Sequence, residues 1–135
     1  MQVFLPYEDF YKSLSCLDPK RLGNQVYREC KTLVNGGWKN HPVAKIWQDH
    51  TYQLCEYALT GLWVLRNERQ KPYQQWEEWF TTKQQHLKDT GLPPLIGYQP
   101  FHDSHKSNLL RKNPEYYSQF NWHVPDNLPY IWKKE

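Results

Sequence analysis

A chain of 135 residues is the usual size of one domain and long enough to bury one hydrophobic core, which predicts a single domain over residues 1–135 and excludes two independent cores. Seven Trp and ten Tyr exclude a disordered chain and predict a core built largely from rings whose polar edges reach the surface. A net charge of +3 permits contact with a polyanion without demanding it, and three cysteines without CxxC spacing argue against a disulfide framework or a Cys-rich zinc site and for a reducing compartment.

Met1 to Pro6 is apolar and too short to be an element of its own, so it is expected to tuck against the body of the protein. Phe10, Leu14 and Leu17 fall on one helical stripe and predict a short helix within Tyr7 to Leu17. Asp18-Pro19 is a helix-start signal, and the following helix runs to Val34, where Asn35-Gly36-Gly37 stops it. Asn40-His41-Pro42 starts a long periodic stretch through Trp47, Leu54, Ala58, Leu62 and Leu65, the expected central helix, with a break expected near Asp49-His50. Its longest nearly apolar run, Ala58 to Leu65, is far below the roughly 20 residues of a membrane span, and no charged-then-apolar signal opens the chain, so a cytoplasmic protein is expected. Pro72 opens a further helix through Trp76, Phe80 and Leu87, closed by Gly91. Pro93, Pro94, Gly97 and Pro100 predict an extended connector, after which Asp103 or Ser104 caps a last short helix to Lys112. Pro114, Pro125 and Pro129 predict an irregular, aromatic-rich tail that packs back on the body. The fold class is all-α, with Leu22, Val26, Leu33, Trp47, Leu54, Ala58 and Leu62 in the core.

The helix from Pro19 to Val34 carries the chemistry. At about 100° per residue, Leu22, Val26, Cys30, Leu33 and Val34 gather on one side and Arg21, Gln25, Arg28 and Thr32 on another. Arg21 and Arg28 are seven residues apart and project from nearly the same azimuth two turns apart, a geometry suited to successive phosphates. Glu29 lies at the border of the two faces, where burial raises a carboxyl pKa and nearby arginines lower it, and the sequence leaves its protonation open.

Tyr27-Arg28-Glu29 in an early helix resembles the segment of the pyrimidine-dimer DNA glycosylases (endonuclease V-like proteins) that holds the catalytic glutamate and a flanking arginine. Leu17-Asp18-Pro19-Lys20-Arg21-Leu22-Gly23-Asn24-Gln25 is similar to the LD-x-x-RLG-x-Q stretch of phage and bacterial relatives. Gly37-Trp38-Lys39-Asn40-His41-Pro42 through Trp47 resembles their GW-x-NHP-x-x-x-x-W, and Phe101-His102-Asp103-Ser104-His105 their FH-x-SH.

The resemblance implies a helical enzyme that uses the α-amine of the N-terminal residue as nucleophile at C1′ of a damaged nucleotide, forms an imine and cleaves the strand by β-elimination. Gln2 is not small, so methionine removal is not expected and the amine is that of Met1. Glu29 takes the acid/base role, with Lys20 as the spare nucleophile. Double-stranded DNA is the implied partner, contacted by Lys20, Arg21, Gln25, Arg28, Lys39, Asn40, His41, His102 and His105. No cofactor and no metal are implied, and the expected state is a monomer in a bacterial or phage-infected cell. For His41, His102 and His105 the residue types alone leave helix capping, backbone hydrogen bonding and phosphate contact open. Two further readings stand beside the first. One is a non-catalytic DNA-binding protein on the same scaffold, favoured by Gln2; the other is a metal-dependent nuclease using His102, His105 and a carboxylate.

Overall fold

The computed structural model describes residues 2–134 and is all-helical, with no strand among the described residues. Helix α1 (Phe10–Ser15) starts where the Asp9 side chain accepts from the Lys12 amide at 2.7 Å, and it buries Leu14. The next helical run is continuous from Pro19 to Val34 but not uniform. It consists of α2 (Pro19–Asn24), a π-helical segment (Gln25–Cys30) and α3 (Lys31–Val34). Through the π segment the step per residue is no longer that of an α-helix. Gln25, assigned above to the presented face, is buried beside Val26, because residues 2–4 cover it and bond to its amide. Pro19 occupies the first turn as expected, but the Asp18 side chain does not cap it. Its carboxylate instead accepts from the Tyr117 hydroxyl and pairs with Arg21 at 3.2 Å. The run ends in a Schellman motif: Gly36 at φ +80° donates to Leu33 O at 3.0 Å, and Gly37 to Thr32 O at 2.8 Å.

The expected central helix is broken where the sequence indicated. Helix α4 (Pro42–Trp47) is capped by His41, whose Nδ1 accepts from the Val43 amide at 3.0 Å. Helix α5 (Thr51–Asn67) follows after His50, whose Nδ1 lies 2.9 Å from Gly91 O. Helix α5 packs against α1, the π segment and α6 (Gln74–Gln85), and buries Leu54, Tyr57, Ala58, Gly61 and Leu62. Helix α6 ends at Gln85, short of the Gly91 stop expected for it; Gly91, at φ +88°, belongs to the following loop.

Helix α7 (Gln99–Lys112) starts earlier than expected. Tyr98 precedes it and Pro100 sits in its first turn, so Asp103 and Ser104 are interior, and Ser104 Oγ donates to Phe101 O at 2.7 Å. Nor is α7 the last helix, since the short α8 (Pro114–Tyr117) and a 3-10 turn (Ser118–Phe120) follow. The tail packs back through rings, with Trp122 stacked on Phe120 and Tyr117 and its Nε1 donating to the Tyr7 hydroxyl at 2.7 Å. The seven residues predicted for the core are all buried. Cys16, Cys30 and Cys55 are free and buried, and burial raises each thiol pKa, to about 12 for Cys16 and about 11 for Cys55.

Residues 2–6 are buried without regular secondary structure between the π segment, α5 and α7. Val3 and Leu5 are fully enclosed and Phe4 nearly so. Burying such side chains contributes about 1.5–3 kcal/mol each, against about 1–2 kcal/mol of backbone entropy for each ordered residue. The two nearly cancel, which leaves the polar contacts of this segment to decide its register.

No helix among the described residues is long and apolar enough to cross a membrane.

Candidate active site

Glu29 sits in the π segment, and its carboxylate reaches a cavity of about 180 Å³. Phe4 from the N-terminal segment and Tyr130 from the tail form the aromatic part of the lining, and Gln2 adds an amide. Lys20, Arg21 and Lys112 bring three cations to it. Glu29 is half-buried, and its Oε2 is enclosed without a hydrogen-bond partner among the described residues. Loss of hydration raises its pKa above the usual carboxyl range, partly opposed by the neighbouring Arg28 guanidinium. A buried polar atom left unpaired is uncommon, and a catalytic role is one of its physical explanations, beside strain and a bound water. Gln2 Nε2, a donor, is likewise enclosed and unpaired, while Gln2 Oε1 accepts from the Val3 amide at 3.0 Å.

The cations differ in how they are held. Arg21 is tied to Asp18, which is in turn bonded to Tyr117, so one guanidinium arm is fixed and the rest of the fork faces the cavity. Lys20 and Lys112 are exposed and reach the rim from α2 and from the end of α7. Arg28 is exposed and lies outside the lining. Burial pushes the Tyr130 phenol up to about 12, so it stays neutral at physiological pH.

The structure separates the remaining sequence candidates. Met1 lies outside the described residues. Lys39 and Asn40 are exposed in the loop before α4 and do not line this cavity. His41 is spent on capping α4, and its ring meets Trp132 edge-on at 5.8 Å. Gln25, expected on DNA, is 2% exposed, and its amide is used on the backbone of residues 2 and 4. His102 and His105, also expected on DNA, are enclosed and bonded to the protein. His102 Nδ1–H donates to Leu5 O at 2.7 Å and its Nε2 accepts from the Gly97 amide at 2.9 Å. His105 Nδ1 accepts from the Leu5 amide at 2.7 Å, and burial lowers its pKa to about 3. These contacts are the backbone hydrogen bonds left open above, and both rings are buried. They also take from the metal-nuclease reading the two imidazoles it needs, because three of their four nitrogens already have protein partners. No group of three metal-ligating side chains occurs among the described residues.

Lys112, Asn24 and Tyr130 line the site without having been singled out from the sequence. Asn24 lay within the quoted motif; Lys112 and Tyr130 are brought to Glu29 only by the packing of α7 and the tail. A larger depression of about 510 Å³ lies between α4, the 93–95 loop and Trp132, but no buried unpaired polar group faces it. Catalytic chemistry is therefore better supported at the smaller cavity.

Comparison with curated proteins and with solved structures gives no match. The family described as Pyrimidine dimer DNA glycosylase matches residues 1–79, a stretch that includes Gln2, Lys20, Arg21 and Glu29. That match takes in more than half of the 135 residues, and the chain belongs to the pyrimidine dimer DNA glycosylase family.

Proposed function

We propose that this protein is a DNA glycosylase with associated abasic-site lyase activity, acting on a damaged or modified pyrimidine in duplex DNA through an imine on the α-amine of residue 1. The observation that carries the reading is the sharing of one cavity by Gln2 and Glu29. Residue 1 is bonded to Gln2, and consecutive Cα atoms are about 3.8 Å apart, so its amine belongs within a few ångströms of Gln2. An α-amine titrates at about 7.7–8.0, against about 10.4 for lysine, so a useful fraction is unprotonated near neutrality.

In the proposed sequence the amine nitrogen bonds to C1′ as the glycosidic bond breaks, and the base leaves with the electron pair and takes up a proton. The C1′–O4′ bond then opens to give the imine, and Glu29, whose burial favours the protonated form, supplies the proton to O4′. As a carboxylate Glu29 then takes a proton from C2′, the C3′–O bond breaks, and the phosphate departs. Water hydrolyses the imine and returns the amine. Lys20, Arg21 and Lys112 suit the flanking phosphates, and access to C1′ requires the nucleotide to leave the stack.

Borohydride trapping on duplex DNA with an abasic site tests this reading. A covalent adduct is expected, and acetylation of the terminus is expected to abolish it, because an amide nitrogen forms no imine. An adduct that survives acetylation moves the nucleophile to a lysine, with Lys20 first. No adduct on any damaged duplex favours a DNA-binding protein without catalysis.

A further inference from the structure

The peptide groups of residues 2–5 have no strand to pair with, and side chains from the helices take the place of one. Gln25 Nε2 donates to Gln2 O at 2.8 Å, and Gln25 Oε1 accepts from the Phe4 amide at 2.8 Å. The Tyr57 hydroxyl lies 2.8 Å from Phe4 O and 2.9 Å from Gln25 Oε1. His105 and His102 hold the amide and the carbonyl of Leu5. Gln25 thus bonds on both sides of Val3 with one amide, as one residue of a parallel neighbouring strand would with its N–H and C=O. Only one orientation of that amide satisfies both partners, so oxygen and nitrogen are assigned by the network.

We infer that Gln25 is a positioning residue, whose amide sets the register of residues 2–4 and so the point from which residue 1 reaches Glu29. The inference rests on the imine reading above. In extended backbone successive side chains alternate, and Gln2 and Phe4 line the cavity whereas Val3 is fully enclosed in the core. A slip of one residue would turn Val3 to the cavity and carry the terminus about 3.3 Å along the segment. That is about the whole separation of a nucleophile from the atom it attacks, roughly 3–3.5 Å. The register is therefore a catalytic requirement. Core filling alone does not call for an amide here; Leu or Met would fill the same space.

The experiment compares wild type, Gln25→Ala and Gln25→Glu in single-turnover borohydride trapping on an abasic duplex, with affinity for the same duplex and the thermal transition measured in parallel. In Gln25→Ala the adduct rate is expected to fall about 10- to 100-fold while the affinity stays within about threefold and the protein remains folded at the assay temperature. Gln25→Glu supplies a readout that bulk packing would not move. Its carboxylate repels Gln2 O, whereas its protonated form again offers one donor and one acceptor, so the ratio of its rate to the wild-type rate should rise as pH falls. An unaltered rate in Gln25→Ala, a fall shared equally by rate and affinity, or a ratio flat with pH overturns the inference. Wild type without any adduct overturns the imine reading first and the catalytic use of this contact with it.

Discussion

Gly61 of α5 lies so close to Val26 of the π segment that a Cβ on it would sit 2.6 Å from Val26 Cγ2 and 3.3 Å from Leu14 Cδ2. The helix bearing Glu29 is thereby pressed against the central helix. Gly61→Ala gains up to about 1 kcal/mol in helix propensity but must push Val26 aside, and such overpacking costs about 1–3 kcal/mol. A net loss, seen as a lower urea midpoint, is expected. A midpoint above wild type would show that the two helices separate freely, and that Glu29 is not held by this contact.

Glu29→Gln should retain fold and most DNA affinity while strand cleavage falls by about 10² or more, the usual scale for lost acid/base help. The same variant has a stability signature. Burial raises the Glu29 pKa, so the native state binds this proton more tightly than the unfolded chain does. The contribution of Glu29 is full below the ordinary carboxyl range and is lost as pH rises through the folded value. Glu29→Gln should therefore match wild type in acid and exceed it at neutral pH in chemical denaturation. Equal stabilities at both pH values would argue against a desolvated carboxylate.

Phosphate contacts leave a signature in salt. Arg21→Ala and Lys112→Ala should each weaken duplex binding and reduce the slope of log affinity against log salt by nearly one unit. Arg28→Ala, outside the cavity but on the same helix, is expected to do the same. Lys83→Ala serves as the control, because that ammonium lies over the Trp79 ring on α6 and outside the cavity. Unchanged slopes in the first three variants would mark this surface as merely solvated.

His105 predicts an acid limit. Its folded pKa of about 3 lies below the ordinary value of about 6.5, so the unfolded chain binds this proton first. Stability is full above about pH 6.5 and drains as pH falls toward 3, by up to about 1.4 kcal/mol per pH unit. Burial shifts His102 in the same direction. His105→Asn, whose side-chain oxygen can still accept from Leu5, should flatten that part of the stability profile measured by urea unfolding. A profile as steep as wild type would refute the assignment.

Helix starts were legible wherever Pro stood in the first turn after Asp18 or His41, because sterics and the missing amide act locally there. The start of α7 was misread because Tyr98 makes no side-chain cap, while Asp103 and Ser104 look like caps and are not. Glu29, Arg21 and Lys20, singled out through the helix and its resemblance, line one cavity. Gln25, His102 and His105, expected on DNA, are buried and bond to the backbone of residues 2–5, and a polar side chain that serves an inward-turned terminus looks in sequence like one that serves a ligand. A signal was nonetheless present. Val3-Phe4-Leu5 is an apolar run with no strand elsewhere to pair with, and its buried peptide groups had to be satisfied by someone's side chains. Lys112 and Tyr130 depend on contacts across most of the chain, which local pattern does not encode.

The π segment also bears on how this gene can change length. Gln25–Cys30 carries one residue more than α-helical turns would need over the same path, so a one-codon deletion there would let the helix relax to ordinary winding. Six residues at this wider winding sweep nearly the angle of five α-helical ones, so the turns on either side would keep their facing. The buried Leu33 of α3 and the Gln25 that faces residues 2–4 would both stay in place. A homologue with a one-residue gap here would therefore keep its flanking helices in phase, and this segment is where the helix tolerates a change of length.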